Sequence, residues 1–186
     1  MPMIDVYAAT GTFSDSHTLA RDLAAAVMRW EQVPDLPLFT NNTAAFIHDM
    51  DADAISNAAG DSNYVRVEVL TPVGVLDRDK QLGVVKELTE IVAAAGGDPS
   101  LRERTWVLLT ESPEGGWGIG GHANTNADIA AAARSRASGC GSGKVPAAAY
   151  TSIIGISRPR PGRRARLRRT RCGAGRGSRE PSPDRS

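Results

Sequence analysis

The pattern of apolar and polar positions at the start of the chain predicts a strand followed by a helix. Residues 4–8 alternate between apolar and polar side chains, which is typical of a strand with one buried face. Residues 10–12 are expected to form a turn. From about residue 15 to residue 31 apolar side chains recur at helical spacing: Leu19, Leu23, Val27 and Trp30.

The limits of this helix are also marked in the sequence. Ser14 is the predicted N-cap, because its hydroxyl can accept a hydrogen bond from a free N–H group of the first turn. Pro34 and Pro37 cannot continue the helix and favour an extended exit. Residues 45–48, Ala-Phe-Ile-His, then predict a second strand.

The same order of elements returns further along the chain. Residues 65–70 contain valine at every second position, which predicts a strand, and Gly74 predicts the turn that follows. A second set of apolar side chains has helical spacing: Leu82, Val85, Leu88 and Val92. Gly96 and Gly97 are a predicted helix stop, and residues 106–110 are a predicted closing strand.

Two short stretches show that the halves correspond. Residues 11–14 match residues 74–77 at an offset of 63, and residues 46–49 match residues 108–111 at an offset of 62. We infer a duplicated β-α-β unit, in which each helix crosses between two parallel strands.

The duplication predicts an α/β (α+β) fold with one four-stranded sheet and both helices on one face. The halves span about residues 2–49 and 64–121, with an acidic linker near 50–62. The other face of the sheet then needs cover, and oligomerisation is the expected source. A short alanine-rich helix is predicted at 126–135, which ends a domain of residues 1–135.

Charge divides the chain at about the same point. Residues 1–133 hold 8 Lys and Arg against 19 Asp and Glu, a net charge of −11, whereas residues 134–186 hold 14 against 2, a net charge of +12. The basic tail, residues 136–186, has too little apolar content to offset the entropy of ordering, so we expect it to be disordered. Its Arg, Gly, Pro and Ser bias is also that of a shifted reading frame in a GC-rich gene.

A tail of this kind leaves one alternative function open. Its arginines could neutralise phosphates and bind nucleic acid in a salt-sensitive way. No aromatic residue follows Tyr150, however, so base stacking of the usual single-strand kind is not expected. A solvated or non-native tail is the favoured interpretation, and nucleic acid is not a predicted partner of the domain.

Several classes of protein are excluded by the sequence. No apolar run approaches the roughly 20 residues that cross a bilayer, and the first residues lack the features of a secretory signal. The only cysteines, Cys140 and Cys172, lie in the tail, so the domain has neither a disulfide framework nor a multi-cysteine zinc site. A cytoplasmic protein with no membrane partner is expected.

Pro2 is the first candidate for chemistry. Removal of Met1 is expected when a small residue follows it, and this leaves proline with a free secondary amine. Burial near apolar side chains disfavours the charged form of an amine and lowers its pKa. Such an amine can act as a general base near neutral pH.

A second motif gives this proline a context. Residues 110–121 read Thr-Glu-Ser-Pro-Glu-Gly-Gly-Trp-Gly-Ile-Gly-Gly. Together with Pro2 at the start of a strand, this segment resembles the tautomerase superfamily, and 4-oxalocrotonate tautomerase in particular, whose short chains end in Thr-Glu…Phe/Trp-Gly-Ile-Gly-Gly. The resemblance covers roughly residues 2–130, and fused members of the superfamily have the same duplicated β-α-β order.

The resemblance implies a tautomerase/MIF-like fold and a cofactor-independent isomerase, a keto–enol tautomerase that acts on a small enol or keto acid or a related carbonyl compound. It implies that Pro2 is the general base and that Trp117 forms the apolar wall of the pocket, although Trp117 also suits a plain core position. It further implies a homotrimer. The implied reaction requires neither a metal nor an organic cofactor. A hydratase, dehalogenase or decarboxylase with protonated Pro2 as general acid is the alternative, and a non-catalytic trimer with a binding tail is a third.

The sequence departs from the family pattern at the arginines that bind a substrate carboxylate. Those positions hold other residues here: Thr12, Ala44, Val73, Val75 and Trp106. Without this cationic clamp a dicarboxylate substrate is not expected. The remaining candidates for anion binding are Arg29, Arg66 and Arg104, each of which also suits a salt-bridged surface position. Trp106, Arg104 and Arg29 join Trp117 as candidate substrate contacts.

Overall fold

The computed structural model describes residues 1–139, which form one four-stranded sheet, two long helices and a smaller C-terminal layer. In chain order the elements are β1 (Met3–Ala9), α1 (Ser16–Glu31), α2 (Pro37–Thr40), β2 (Ala44–Met50), β3 (Ser56–Asn57), β4 (Gly60–Asp61), β5 (Val65–Pro72), α3 (Arg78–Ala95), β6 (Thr105–Ser112), β7 (Trp117–Ile119), β8 (His122–Asn124) and α4 (Asn126–Gly139). Short 3-10 turns lie at Ala52–Ala54 and Pro99–Arg102. The predicted tail lies outside the described residues from residue 140 onward.

The sheet has the strand order β2-β1-β5-β6. β1 and β2 are parallel, β5 and β6 are parallel, and the two units meet through the antiparallel pair β1–β5. In the middle of the sheet Val6 lies opposite Val67, which in turn lies opposite Val107. The predicted fold class is therefore confirmed: two β-α-β units share one sheet, with α1 and α3 packed on the same face.

α1 begins one residue later than the predicted cap would place it. Asp15, not Ser14, is the N-cap, and its carboxylate accepts a hydrogen bond from the backbone N–H of Thr18. This bond also holds the pKa of the Asp15 carboxyl below its usual range. The helix ends at Gln32, which adopts a left-handed conformation with φ 57° and donates its backbone N–H to the carbonyl of Arg29.

Only part of the apolar set that predicted α3 is buried. Leu88 and Val92 are buried, together with Val84. Leu82 and Val85, the other two members of that set, are 53% and 37% exposed. The stripe that faces the sheet advances in steps of four residues from Val84, and this register turns positions 82 and 85 outward.

α1 and α3 pack closely because α3 has a glycine at the contact. A side chain on Gly83 would overlap the indole ring of Trp30. The indole nitrogen of Trp30 donates a hydrogen bond of 2.6 Å to Glu87, whose other carboxylate oxygen pairs with Arg29. Gly83 thus lowers the intrinsic stability of α3 but leaves room for the indole ring of Trp30 at the helix–helix contact.

We expect Gly83→Ala to lower the free energy of unfolding by about 1–3 kcal/mol, as overpacking does, although alanine is normally the better helix former. In a Trp30→Ala background the obstruction is gone, so the same substitution should stabilise the chain by roughly 0.5–1 kcal/mol. Urea unfolding of the four chains measures both effects. Stabilisation by Gly83→Ala in the presence of Trp30 would contradict this account.

The face of the sheet opposite the helices is open and partly apolar. Its large exposed apolar side chains come from β2, β5 and β6: Phe46, Leu70, Trp106 and Leu108. The half-buried Tyr7 of β1 lies among them. Polar pairs lie among them, since Asp5 contacts His48 at 2.7 Å and Arg66 contacts Glu68 at 2.7 Å. Large apolar side chains are therefore left exposed on this face within residues 1–139.

A second, smaller core forms around the start of the chain. It joins residues from the chain terminus, α2, the β7–β8 hairpin and α4: Met1, Leu38, Phe39, Trp117 and Ala133. α4 continues to Gly139, beyond the predicted end at residue 135. No helix among residues 1–139 is both long and apolar enough to cross a membrane.

Candidate active site

A cavity of about 40 Å³ lies at the amino terminus, between the two halves of the chain. Pro2 is buried at the entrance to β1, and Met1 extends into the cavity with only 3% of its surface exposed. The walls come from the end of α1 and the loop after it, from α2, from the end of β5 and from α4. They are apolar apart from Glu31 and Asn126.

Trp117 lies next to this terminus. It is 6% exposed and packs in the same cluster as Met1. Asn124, opposite it in the hairpin, donates a side-chain hydrogen bond of 3.1 Å to the carbonyl of Trp117. The hairpin turns through Gly120 and Gly121, whose φ values of 59° and 80° explain why glycines stand there. The glycine-rich motif is therefore a turn that places an indole against the chain terminus.

Glu31 is the charged group of the cavity, and the sequence analysis did not single it out. It is the last residue of α1 and is fully buried. The amino group of Met1 donates a hydrogen bond of 2.7 Å to its Oε2 atom. Among the described residues, no donor lies within hydrogen-bond distance of its Oε1 atom. A buried carboxylate with one unpaired oxygen is costly, which marks the position as unusual.

Burial raises the pKa of Glu31, and two positive charges act against this rise. One is the amino terminus, and the other is Lys80 in the first turn of α3. The ammonium group of Lys80 donates a 3.4 Å hydrogen bond to the carbonyl of Val75, a residue of the cavity wall. Lys80 is therefore a cation close enough to the cavity to influence the carboxylate inside it.

A signal for Glu31 was present in the sequence. Leu19, Leu23 and Val27 form a stripe with a spacing of four residues, and the next member of that stripe is position 31. A charged residue on the buried stripe of an amphipathic helix is a departure from the pattern of the helix. Spacing alone places this carboxylate in the interior, although it does not say what it faces.

Two of the predicted substrate contacts, Arg29 and Arg104, do not line this cavity. Arg29 pairs with Glu87 across the two helices. Arg104 pairs with Asp98 at 2.5 Å and donates a 2.7 Å hydrogen bond to the carbonyl of Asn63. It precedes β6 beside the start of β5, whereas the cavity lies at the other end of β5. Both arginines form surface ion pairs, which is the alternative role given for them from the sequence. Their role in substrate binding stays a prediction.

Trp106 also lies away from the cavity within one chain. It is on the open face of the sheet, where its ring stacks on Tyr64 with 4.7 Å between centroids. With Tyr7 and Arg66 it lines a separate depression of about 290 Å³. The guanidinium of Arg66, the third arginine candidate, lies 4.7 Å from the centre of the Tyr7 ring. Of the predicted site residues, Pro2 and Trp117 are the two near the amino terminus, because Pro2 follows Met1 and Met1 packs in one cluster with Trp117.

Comparison with solved structures finds proteins of similar fold. A fused 4-OT solved as a symmetric trimer has 17% sequence identity and a TM-score of 0.57, over 68% of this chain and 97% of that one. A member of the cis-3-chloroacrylic acid dehalogenase family has 17% identity and a TM-score of 0.54, over 64% and 80%. A third, Pt0534 inactivated by 2-oxo-3-pentynoate, has 15% identity and a TM-score of 0.55, over 66% and 95%.

These likenesses show that the chain has a tautomerase-like fold, which confirms the resemblance noted in the sequence. Proteins of this fold include dehalogenases as well as tautomerases, and they include trimers. The sequence itself matches no protein-family model, and no curated protein matches it.

The raised pKa of Glu31 gives a testable pH dependence. Between the ordinary pKa of a glutamate and this raised value, the folded chain binds more protons than the unfolded chain. The free energy of unfolding therefore falls as pH rises through this range, by up to about 1.4 kcal/mol per pH unit. Glu31→Gln should remove this slope, so the variant should gain stability relative to the unaltered chain as pH rises.

Urea unfolding from about pH 4 to about pH 9 measures the difference between the two chains. Glu103→Gln is the matched control, because Glu103 is exposed. A Glu31→Gln chain whose stability follows the same pH curve as the unaltered chain would refute the raised pKa.

Proposed function

We propose that this protein is a cofactor-independent keto–enol tautomerase in which the amino-terminal amine of Pro2 transfers the proton. The observation that carries the proposal is the burial of Pro2 directly after Met1, the residue that lines the apolar cavity and packs in the same cluster as Trp117. The proposal requires removal of Met1, which intact mass measures directly.

Loss of Met1 changes the cavity in two ways. It converts the nitrogen of Pro2 from an amide into a secondary amine, which can accept a proton. It also vacates the space that the Met1 residue fills, beyond the present 40 Å³. A cavity that now has room for a water molecule gains room for a small carbonyl compound.

The environment of the amine decides whether it begins the reaction as a base. The apolar cavity wall and the buried cluster that contains Trp117 disfavour a charged amine, whereas the carboxylate of Glu31 favours one. As a base, the uncharged amine takes a proton from the carbon beside the carbonyl, and the carbonyl oxygen becomes an enol oxygen. The resulting ammonium returns its proton in the reverse direction, so the enzyme ends unchanged.

Ketonisation of phenylenolpyruvate and of its methyl ester tests this proposal on the full chain with Met1 removed. We expect Pro2→Ala to lower kcat/KM by roughly 10²–10⁴-fold, the usual contribution of a positioned acid or base. Pro99→Ala is the matched control, because Pro99 is exposed beside the start of β6, at the far end of the sheet. Equal rates for Pro2→Ala and the unaltered chain, or no activity on either compound, would refute the tautomerase proposal.

We further infer a homotrimer, in which the open sheet face packs against other copies of the chain. Leu108→Glu on that face should break the assembly into smaller species, because a charge would be buried without a partner. Leu82→Glu is the matched control: both leucines are about half exposed, at 45% and 53%, but Leu82 lies on the outer face of α3. Sedimentation velocity measures the assembly, and a monomeric unaltered chain would refute this inference.

A hydratase or dehalogenase on the same scaffold is the second candidate. The observation that favours it is Glu31, since a carboxylate can take a proton from water while protonated Pro2 donates one to carbon. One protein of similar fold belongs to the cis-3-chloroacrylic acid dehalogenase family. Chloride release from cis-3-chloroacrylate that depends on both Pro2 and Glu31 would favour this candidate over the tautomerase.

A further inference from the structure

The Met1 residue marks a binding position inside the cavity. It places an apolar side chain among apolar walls and an N–H donor 2.7 Å from the Oε2 atom of Glu31. When Met1 is removed, the carboxylate loses this donor and its Oε1 atom has none to begin with. The emptied cavity therefore fits a ligand that has an apolar body and a hydrogen-bond donor at one end.

The position of that donor relative to Pro2 follows from covalent geometry. Three bonds join the nitrogen of Met1 to the nitrogen of Pro2, so the two atoms are at most about 4.3 Å apart. Oε2 of Glu31 is then within about 7 Å of the Pro2 nitrogen. The oxygen and the carbon that exchange a proton in a keto–enol pair are two bonds apart. One small molecule can thus contact Glu31 through its oxygen and Pro2 through its carbon.

We propose that Glu31 accepts the proton on the oxygen side of the reaction, and that its charge makes this pocket select uncharged keto–enol compounds over carboxylates. This inference rests on the proposed tautomerase function. It names a catalytic residue that the sequence analysis missed and a substrate class that fits the absence of the carboxylate-binding arginines at their expected positions.

The proton transfers balance in the direction of ketonisation. The enol hydroxyl gives its proton to the carboxylate of Glu31 as the C=O bond forms. The electron pair of the C=C bond takes a proton from the ammonium of Pro2 and forms the new C–H bond. Glu31 is left as a carboxylic acid and Pro2 as an uncharged amine. Transfer of one proton from Glu31 to Pro2 restores the starting state, with no other reactant consumed.

The charges around the cavity explain the selectivity. Among the described residues that line it, Glu31 is the one charged side chain, and its desolvation makes a second anion nearby unfavourable. Lys80, whose ammonium group contacts the carbonyl of Val75 in the cavity wall, acts in the opposite sense, because it lowers the pKa of Glu31 as the amino terminus does. To bind a carboxylate substrate, the attraction of Lys80 would have to overcome the repulsion between that carboxylate and Glu31.

The decisive measurement is the ratio of kcat/KM for the methyl ester of phenylenolpyruvate to kcat/KM for the free acid. Each value is divided by the uncatalysed rate of the same compound. For the unaltered chain without Met1 we expect a ratio of at least about ten in favour of the ester. Glu31→Gln should lower kcat for the ester by at least about tenfold and bring the ratio close to one. Lys80→Gln should leave the preference for the ester in place.

A preference of the unaltered chain for the acid would overturn the inference, as would a Glu31→Gln chain with unchanged kcat and an unchanged ratio. If Glu31 had only a structural role, Glu31→Gln would lower the rates with both compounds equally and leave the ratio unchanged. That result would also overturn the inference. Glu31→Asp keeps the charge and serves if the glutamine variant does not fold. It should keep the ester preference, and loss of that preference would overturn the inference.

Covalent labelling separates failure of this inference from failure of the proposed function. The rates at which 2-oxo-3-pentynoate and its methyl ester add to Pro2 are measured by mass and divided by their rates with prolinamide in solution. A faster reaction of the ester that Glu31→Gln abolishes supports the inference without any turnover. Activity that depends on Pro2 but favours acids refutes the inference alone, whereas activity that is the same without Pro2 refutes the proposed function.

Discussion

The antiparallel pairing of β1 with β5 is the contact on which the rest of the structure depends. Each β-α-β unit has only two strands and one helix, so neither can cover an apolar sheet face alone. Pairing through Val6 and Val67 gives both helices one continuous sheet to pack on. Because the strands run in opposite directions, the same pairing brings the start of β1 next to the end of β5, so Pro2 lies where both halves contribute walls.

The cavity at this junction combines two features that oppose each other. Its walls are apolar, which disfavours any charge, yet α1 ends on a carboxylate that points into it. The positive charges of the amino terminus and of Lys80 partly compensate that carboxylate. An amine and an acid held in a low-dielectric space can exchange a proton at small cost, and this is the property that the proposed chemistry uses. The fold brings the amino terminus to this cavity, and Glu31 supplies its charged side chain.

Most of the fold was predictable because its signals are local. Apolar–polar alternation and helical spacing depend only on residues that are close in the sequence. The four long strands and both long helices lie where these patterns predict them. The errors arose where two local signals compete. Asp15 outcompetes Ser14 as a cap because its carboxylate reaches the N–H of Thr18. On α3 two apolar stripes overlap, and only packing against the sheet selects the one that contains Val84.

The sequence by itself determined the order of the elements, their duplication, the prolyl start and the glycine turn that holds Trp117, because each depends on residues close together in the chain. The tertiary structure alone decided that Glu31 meets the amino terminus, that Lys80 acts on it, and that Arg104 lies at the far end of the sheet. These relations join residues many positions apart, and a carboxylate on a helical stripe has no chemical meaning until the fold shows what it faces.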